Sequence, residues 1–83
     1  MRLKYKPRGT CSTMMDVEVV DGIVVDVKIT GGCNGNLQGI SKLVQGMPAK
    51  EVIARLSGIR CGPRSTSCPD QLAVALSKCV ETE

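Results

Sequence analysis

Met15-Asp16-Val17-Glu18-Val19-Val20-Asp21-Gly22-Ile23-Val24-Val25-Asp26-Val27-Lys28-Ile29-Thr30 is the stretch that decides the fold. Met15, Val17 and Val19 alternate with Asp16 and Glu18, and Ile23, Val25, Val27 and Ile29 alternate with Asp26 and Lys28. A period of two sends one set of side chains to each face of an extended chain, so these runs read as two half-buried strands. Register then decides the turn between them. A two-residue Asp-Gly turn would set Glu18 opposite Val25, on the apolar face. A three-residue loop pairs 19 with 23, 17 with 25 and 15 with 27, keeps the apolar partners together, and predicts a left-handed Gly22 forming a bulge. Leu3 and Tyr5 alternate with charges ahead of Pro7, which predicts a short edge strand added to the hairpin.

After Thr30 the period lengthens. Leu37, Ile40, Leu43 and Val44 fall on one helical stripe that Gly46 can end. Pro48 suits the first position of a second helix, with Val52, Ile53 and Leu56 inward and Gly58 as its stop. A third helix opens at Pro69, with Asp70 in its first turn and Leu72, Ala73, Leu76, Cys79 and Val80 as its buried stripe. A three-stranded antiparallel sheet followed by three helices makes a two-layer α+β domain, a single one over residues 1–83.

The core of such a domain is thin. Leu, Ile and Val make up about a quarter of the 83 residues, enough for folding rather than disorder. There is one Tyr and no Trp or Phe, so the core is aliphatic. Small aliphatic cores call for a staple: a metal, disulfides or a partner chain. The net charge of +3 is mild and comes partly from Arg2, Lys4, Lys6 and Arg8. Without aromatic residues for base stacking, the composition argues against nucleic acid as a partner. No stretch approaches a membrane span, and the basic first residues lead into no apolar run, so neither a membrane anchor nor a secretory leader is expected. The expected compartment is the reducing cytoplasm. There, clustered cysteines signal metal or redox chemistry more often than structural disulfides, and an odd count of five argues against a fully paired set.

Cys79 belongs to the apolar stripe of the last helix and reads as a small core hydrophobe. Cys11, Cys33, Cys61 and Cys68 all fall in loops or at element ends, each with glycine or proline nearby. With paired positions summing to 42, Cys11 lies level with Gly31, two residues before Cys33, so one end of the sheet receives both sulfurs. Cys68 precedes Pro69 and is expected to cap the last helix, where a thiol pKa falls. Cys33 precedes the first helix, with Asn34 and Asn36 as alternative caps. Cys61 lies seven residues before Cys68, between Arg60 and Arg64. Those guanidinium groups would either offset clustered thiolates or stand as exposed loop charges. Four thiolates and no histidine favour zinc or an iron–sulfur cluster. A closed four-sulfur zinc site would be structural; three sulfurs with a carboxylate such as Asp70 would be more labile.

Thr66-Ser67-Cys68-Pro69-Asp70 spells the motif after which the TSCPD domain family is named, and the chain resembles that family from about Tyr5 to Leu76. Gly9-Thr10-Cys11, the Val-Asp-Gly hairpin, Gly31-Gly32-Cys33-Asn34-Gly35-Asn36 and Cys61-Gly62 carry the rest of the likeness. The resemblance implies a small module found alone or at the C-terminal end of adenosylcobalamin-dependent ribonucleotide reductases, with Cys11, Cys33, Cys61 and Cys68 as the family cysteines. A fainter likeness is to iron–sulfur scaffold proteins of the NifU/IscU type, in which Cys11, Cys33 and Cys68 would hold the cluster cysteines' places; the histidine beside the third is missing here.

The leading expectation is therefore a cysteine-cluster metal-binding accessory module, zinc ahead of iron–sulfur, associated with ribonucleotide reduction, its partner a reductase subunit. The reductase label does not make an enzyme of this chain, because 83 residues are too few for the catalytic subunit. The alternatives are a thiol–disulfide relay through these cysteines, an iron–sulfur scaffold, and an interaction domain that a metal merely holds folded.

Overall fold

The computed structural model describes residues 1–10, 12–31 and 34–82, the side chains of Asn34 and Thr82 excepted. Three strands, β1 (Arg2–Tyr5), β2 (Ser12–Val20) and β3 (Ile23–Gly31), precede three helices, α1 (Asn34–Val44), α2 (Ala49–Leu56) and α3 (Cys68–Thr82). The sheet is antiparallel in the order β1-β2-β3. Met15, Val17, Val19, Val24 and Val27 bury one sheet face against Val44, Ala49 and Val52 and against Leu72, Ala75, Leu76 and Cys79 of α3. The α+β reading of the sequence holds.

The hairpin departs from the expected register. Val20 pairs with Ile23 and Val19 with Val24, so the turn has two residues, and both Asp21 (φ 51°) and Gly22 (φ 76°) are left-handed. That is the tight turn whose twist matches the strands it joins, and Asp-Gly tolerates it. The conflict at Glu18 is relieved elsewhere: β3 carries an extra residue, Val25, between Val24 opposite Val19 and Asp26 opposite Glu18. Val25 is left partly exposed, and beyond it Val17 meets Val27 and Met15 meets Ile29. The bulge thus sits in the strand rather than at Gly22. A second irregularity between Ser12 and Met14 sets Ser12, not Cys11, opposite Gly31.

The bulge brings two like charges, Glu18 and Asp26, face to face on the solvent side. Arg2 bridges them, with Nη1 donating to Glu18 Oε1 at 3.0 Å and Nη2 to Asp26 Oδ2 at 2.8 Å. Its Nε lies 2.9 Å from Asp16 Oδ1, an ion pair without hydrogen-bond alignment. The hydrogen bond from Arg2 holds the Asp26 carboxyl below its ordinary pKa.

The helices differ from expectation in detail. In α1 the inward stripe is Leu37, Ser41 and Val44, with Ile40 half-buried, while Leu43 is 77 % exposed. Ser41 donates to Leu37 O at 2.8 Å, so its burial leaves no polar group unpaired. Pro48 is the N-cap of α2 rather than its first residue. The connection between α1 and α2 lies along the start of β3: Val24 N–H donates to Met47 O, Gly46 N–H to Val24 O, and Ala49 N–H to Gly22 O. Cys79 is fully buried, as its place on the stripe predicted, with Sγ donating to Met1 O at 3.2 Å.

Candidate functional site

Each residue of the stretch 66–70 has a separate task at the start of α3. Ser67, not Cys68, is the N-cap: its Oγ accepts the Asp70 N–H at 3.1 Å, and its carbonyl accepts the Gln71 N–H. Ser-x-x-Asp is the pattern of a capping box, a signal already present in the sequence. The Ser67 hydroxyl also donates to Ile59 O at 2.7 Å. Cys68 is the first helical residue, and Pro69 follows in the first turn, where a missing N–H does no harm.

Asp70 ties down the loop that carries Cys61. Its Oδ1 accepts the Gly58 N–H at 2.7 Å, and its Oδ2 accepts the Thr66 hydroxyl. These hydrogen bonds, that from Thr66 first, lower the Asp70 pKa below its usual value. The supporting carboxylate of the sequence reading is thus engaged on both oxygens by residues 58–66. Within that loop Cys61 N–H donates to Thr66 O and Arg64 N–H to Cys61 O, both at 3.1 Å, around a left-handed Gly62. Cys61 itself is exposed.

A second set of contacts docks this loop on the β1–β2 connection. Arg64 Nη1 lies 3.4 Å from Gly9 O. Gly9 is left-handed (φ 72°), and a Cβ there would come within 2.9 Å of Thr66 Cγ2, so a larger residue would strain the backbone and displace Thr66. Gln71, nearly buried, joins three segments: its Oε1 accepts from Tyr5 Oη at 2.8 Å and from Arg8 N–H at 3.0 Å, and its Nε2 donates to Thr66 Oγ1 at 3.0 Å. The sequence reading missed Gln71 because its partners are remote along the chain.

Cys68 Sγ and Ser12 Oγ share a hydrogen bond at 3.3 Å, and Ser12 Oγ shares another with Thr10 Oγ1 at 2.9 Å. Cys61 and Cys68 line one groove of about 500 Å³, with Pro69 beside them and the first turns of α1, Ile40 and Leu43 among its other walls. Arg60 and Arg64 are exposed, and Arg64 is occupied by Gly9. Asn34 starts α1, but its side chain is not described. The expectations for Cys11 and Cys33 fall outside the described residues. Among the described residues, no three His, Cys, Asp or Glu side chains gather about one point where a metal ion could be held. None of the described helices is long and apolar enough to cross a membrane.

No curated protein and no solved structure matches the sequence. The TSCPD domain family model matches residues 2–80, nearly the whole chain. On that match, carried by the motif whose capping and loop-tying geometry is described above, the chain belongs to the TSCPD domain family.

Proposed function

We propose that this chain is a metal-binding accessory module in which Cys11, Cys33, Cys61 and Cys68 hold zinc, with an iron–sulfur cluster as the alternative cargo. The observation that carries the reading is the placement of Cys61 and Cys68 on one groove, with the Cys68 sulfur beside Ser12. Ser12 pairs with Gly31 at the end of the sheet. Cys11 precedes Ser12 in the chain and Cys33 follows Gly31 by two residues, and a peptide step spans only about 3.8 Å. The donor chemistry suits the group: sulfur is a soft ligand, and the chain has no histidine to compete. Bound by four thiolates, zinc would act as a structural cross-link between the sheet end and the loops before α1 and α3. Neighbouring residues orient the segments that carry Cys61 and Cys68. Ser67 starts the helix that presents Cys68, and Asp70 and Thr66 brace the Cys61 loop. A role beside ribonucleotide reduction, with a reductase subunit as partner in the cytoplasm, rests on the family resemblance alone.

Elemental analysis of chain purified without air tests this reading, with about one zinc per chain expected. Cys61→Ser and Cys68→Ser should each lower that content, whereas Cys79→Ala should not. Iron with visible absorbance would replace zinc by a cluster. No bound metal, together with reversible oxidation of the thiols, would favour a disulfide relay and overturn the proposal.

A further inference from the structure

β1 lies at the edge of the sheet, and its outward backbone groups can be assigned. Val19 N–H donates to Met1 O at 2.9 Å and the Met1 amino group to Val19 O at 2.8 Å, so these two residues form an exchanging pair. Such pairs recur at every second position of an antiparallel ladder. Leu3 opposite Val17 and Tyr5 opposite Met15 therefore direct their N–H and C=O groups to β2. Arg2 and Lys4 direct theirs away from the sheet. The other edge is treated differently, because Met47 and Gly46 already hydrogen-bond to Val24 at the start of β3.

Beside the β1 edge runs a cleft of about 560 Å³, walled by residues 3–6 and Arg8 on one side and by Val74 and Lys78 of α3 on the other. Its apolar part comes from half-buried Leu3, Tyr5 and Val74. Its charged groups are Lys4, Lys6, Arg8 and Lys78, with no carboxylate among the described residues that line it. The nearby acids Asp16, Glu18 and Asp26 are bound to Arg2 on the solvent face of the sheet.

We propose that this edge binds an extended, acidic segment of a partner protein as a fourth strand. Its backbone pairs with the outward groups of Arg2 and Lys4, and its carboxylates meet Lys4, Lys6 and Arg8. Strand addition of this kind draws affinity from main-chain hydrogen bonds and selectivity from flanking side chains. The same lysines bar a second copy of this chain, since pairing two β1 edges would bring like charges together. Nucleic acid lacks a stacking platform here: Tyr5, the one aromatic residue, is half-buried with its hydroxyl tied to Gln71. This inference is independent of the metal reading.

The test titrates the full chain with a fluorescein-labelled peptide alternating glutamate and threonine, beside a lysine–threonine peptide and an oligothymidylate. Anisotropy should report binding of the acidic peptide that weakens with added salt. At saturation, hydrogen exchange at the Arg2 and Lys4 amides should slow by about tenfold or more. The double variant Lys6→Glu with Arg8→Glu, both exposed and outside the strand pairing, should weaken binding by about tenfold or more while keeping the melting curve. Absent binding of the acidic peptide, binding without slowed exchange at Arg2 and Lys4, or tighter binding of the oligothymidylate would each overturn the proposal. Should the double variant fail to fold, the exchange measurement on the unaltered chain decides alone.

Discussion

The Cys68 sulfur lies 3.3 Å from the Ser12 hydroxyl, although 56 residues separate the two in the chain. This contact fastens the beginning of the last helix to the end of the sheet where β2 starts and β3 finishes. It gives the motif at residues 66–70 a physical meaning: Ser67 and Asp70 shape the helix start so that the intervening cysteine faces the sheet end.

Ser67→Ala removes both an N-cap and the hydroxyl that donates to Ile59 O. The expected loss is about 1 to 2 kcal/mol of folding stability, measured by urea denaturation. Ser67→Thr keeps both hydrogen bonds and should recover most of that loss. A change near zero for the alanine variant would mean that the helix start is held by other contacts.

Asp70 makes the domain acid-sensitive. Its pKa is lowered in the folded chain by the hydrogen bonds from Thr66 and Gly58. The carboxylate therefore contributes stability that is present above its ordinary value and is lost as pH falls through the lowered one. Melting temperatures should decline below about pH 4, and Asp70→Asn should flatten that part of the profile. The variant should also speed hydrogen exchange at Gly58, whose N–H loses a charged acceptor. Parallel profiles for the two proteins would contradict this account.

Gly9→Ala and Gly58→Ala separate steric contact from backbone strain. Both glycines are left-handed, at φ 72° and 86°, but only Gly9 faces an obstacle, Thr66 Cγ2 at 2.9 Å. Either substitution should destabilise by about 1 kcal/mol through the backbone alone, and the Gly9 variant by more. Equal losses in urea denaturation would show that Thr66 moves aside freely.

Leu76→Ala and Leu43→Ala contrast two leucines of the helices. Leu76 is fully buried, and its truncation should cost about 2 to 5 kcal/mol. Leu43 is 77 % exposed, so its truncation should change stability by less than about 0.5 kcal/mol. Calorimetry on the two variants distinguishes them, and a large loss at Leu43 would place that side chain in the packed core.

Much of this arrangement was legible in residue order. Alternation from Met15 to Ile29 announced the hairpin, and Cys79 on an apolar stripe announced a core residue. The hairpin register was not legible. An extra residue in the turn and an extra residue in the strand both keep valine opposite valine, so the local pattern is satisfied either way. The exposure of Leu43 is not legible for a related reason: an aliphatic residue near the edge of a helical stripe packs inward only if a neighbour stands there.

The order of residues by itself determined the elements, their sequence along the chain and the loop position of Cys61, because periodicity and turn chemistry are local. Only the tertiary structure decided that Val25 loops out, that Ser67 caps α3, and that Gln71 joins Tyr5, Arg8 and Thr66. Those outcomes depend on hydrogen bonds and packing between segments remote along the chain, whose partners exist only once the sheet and helices have met.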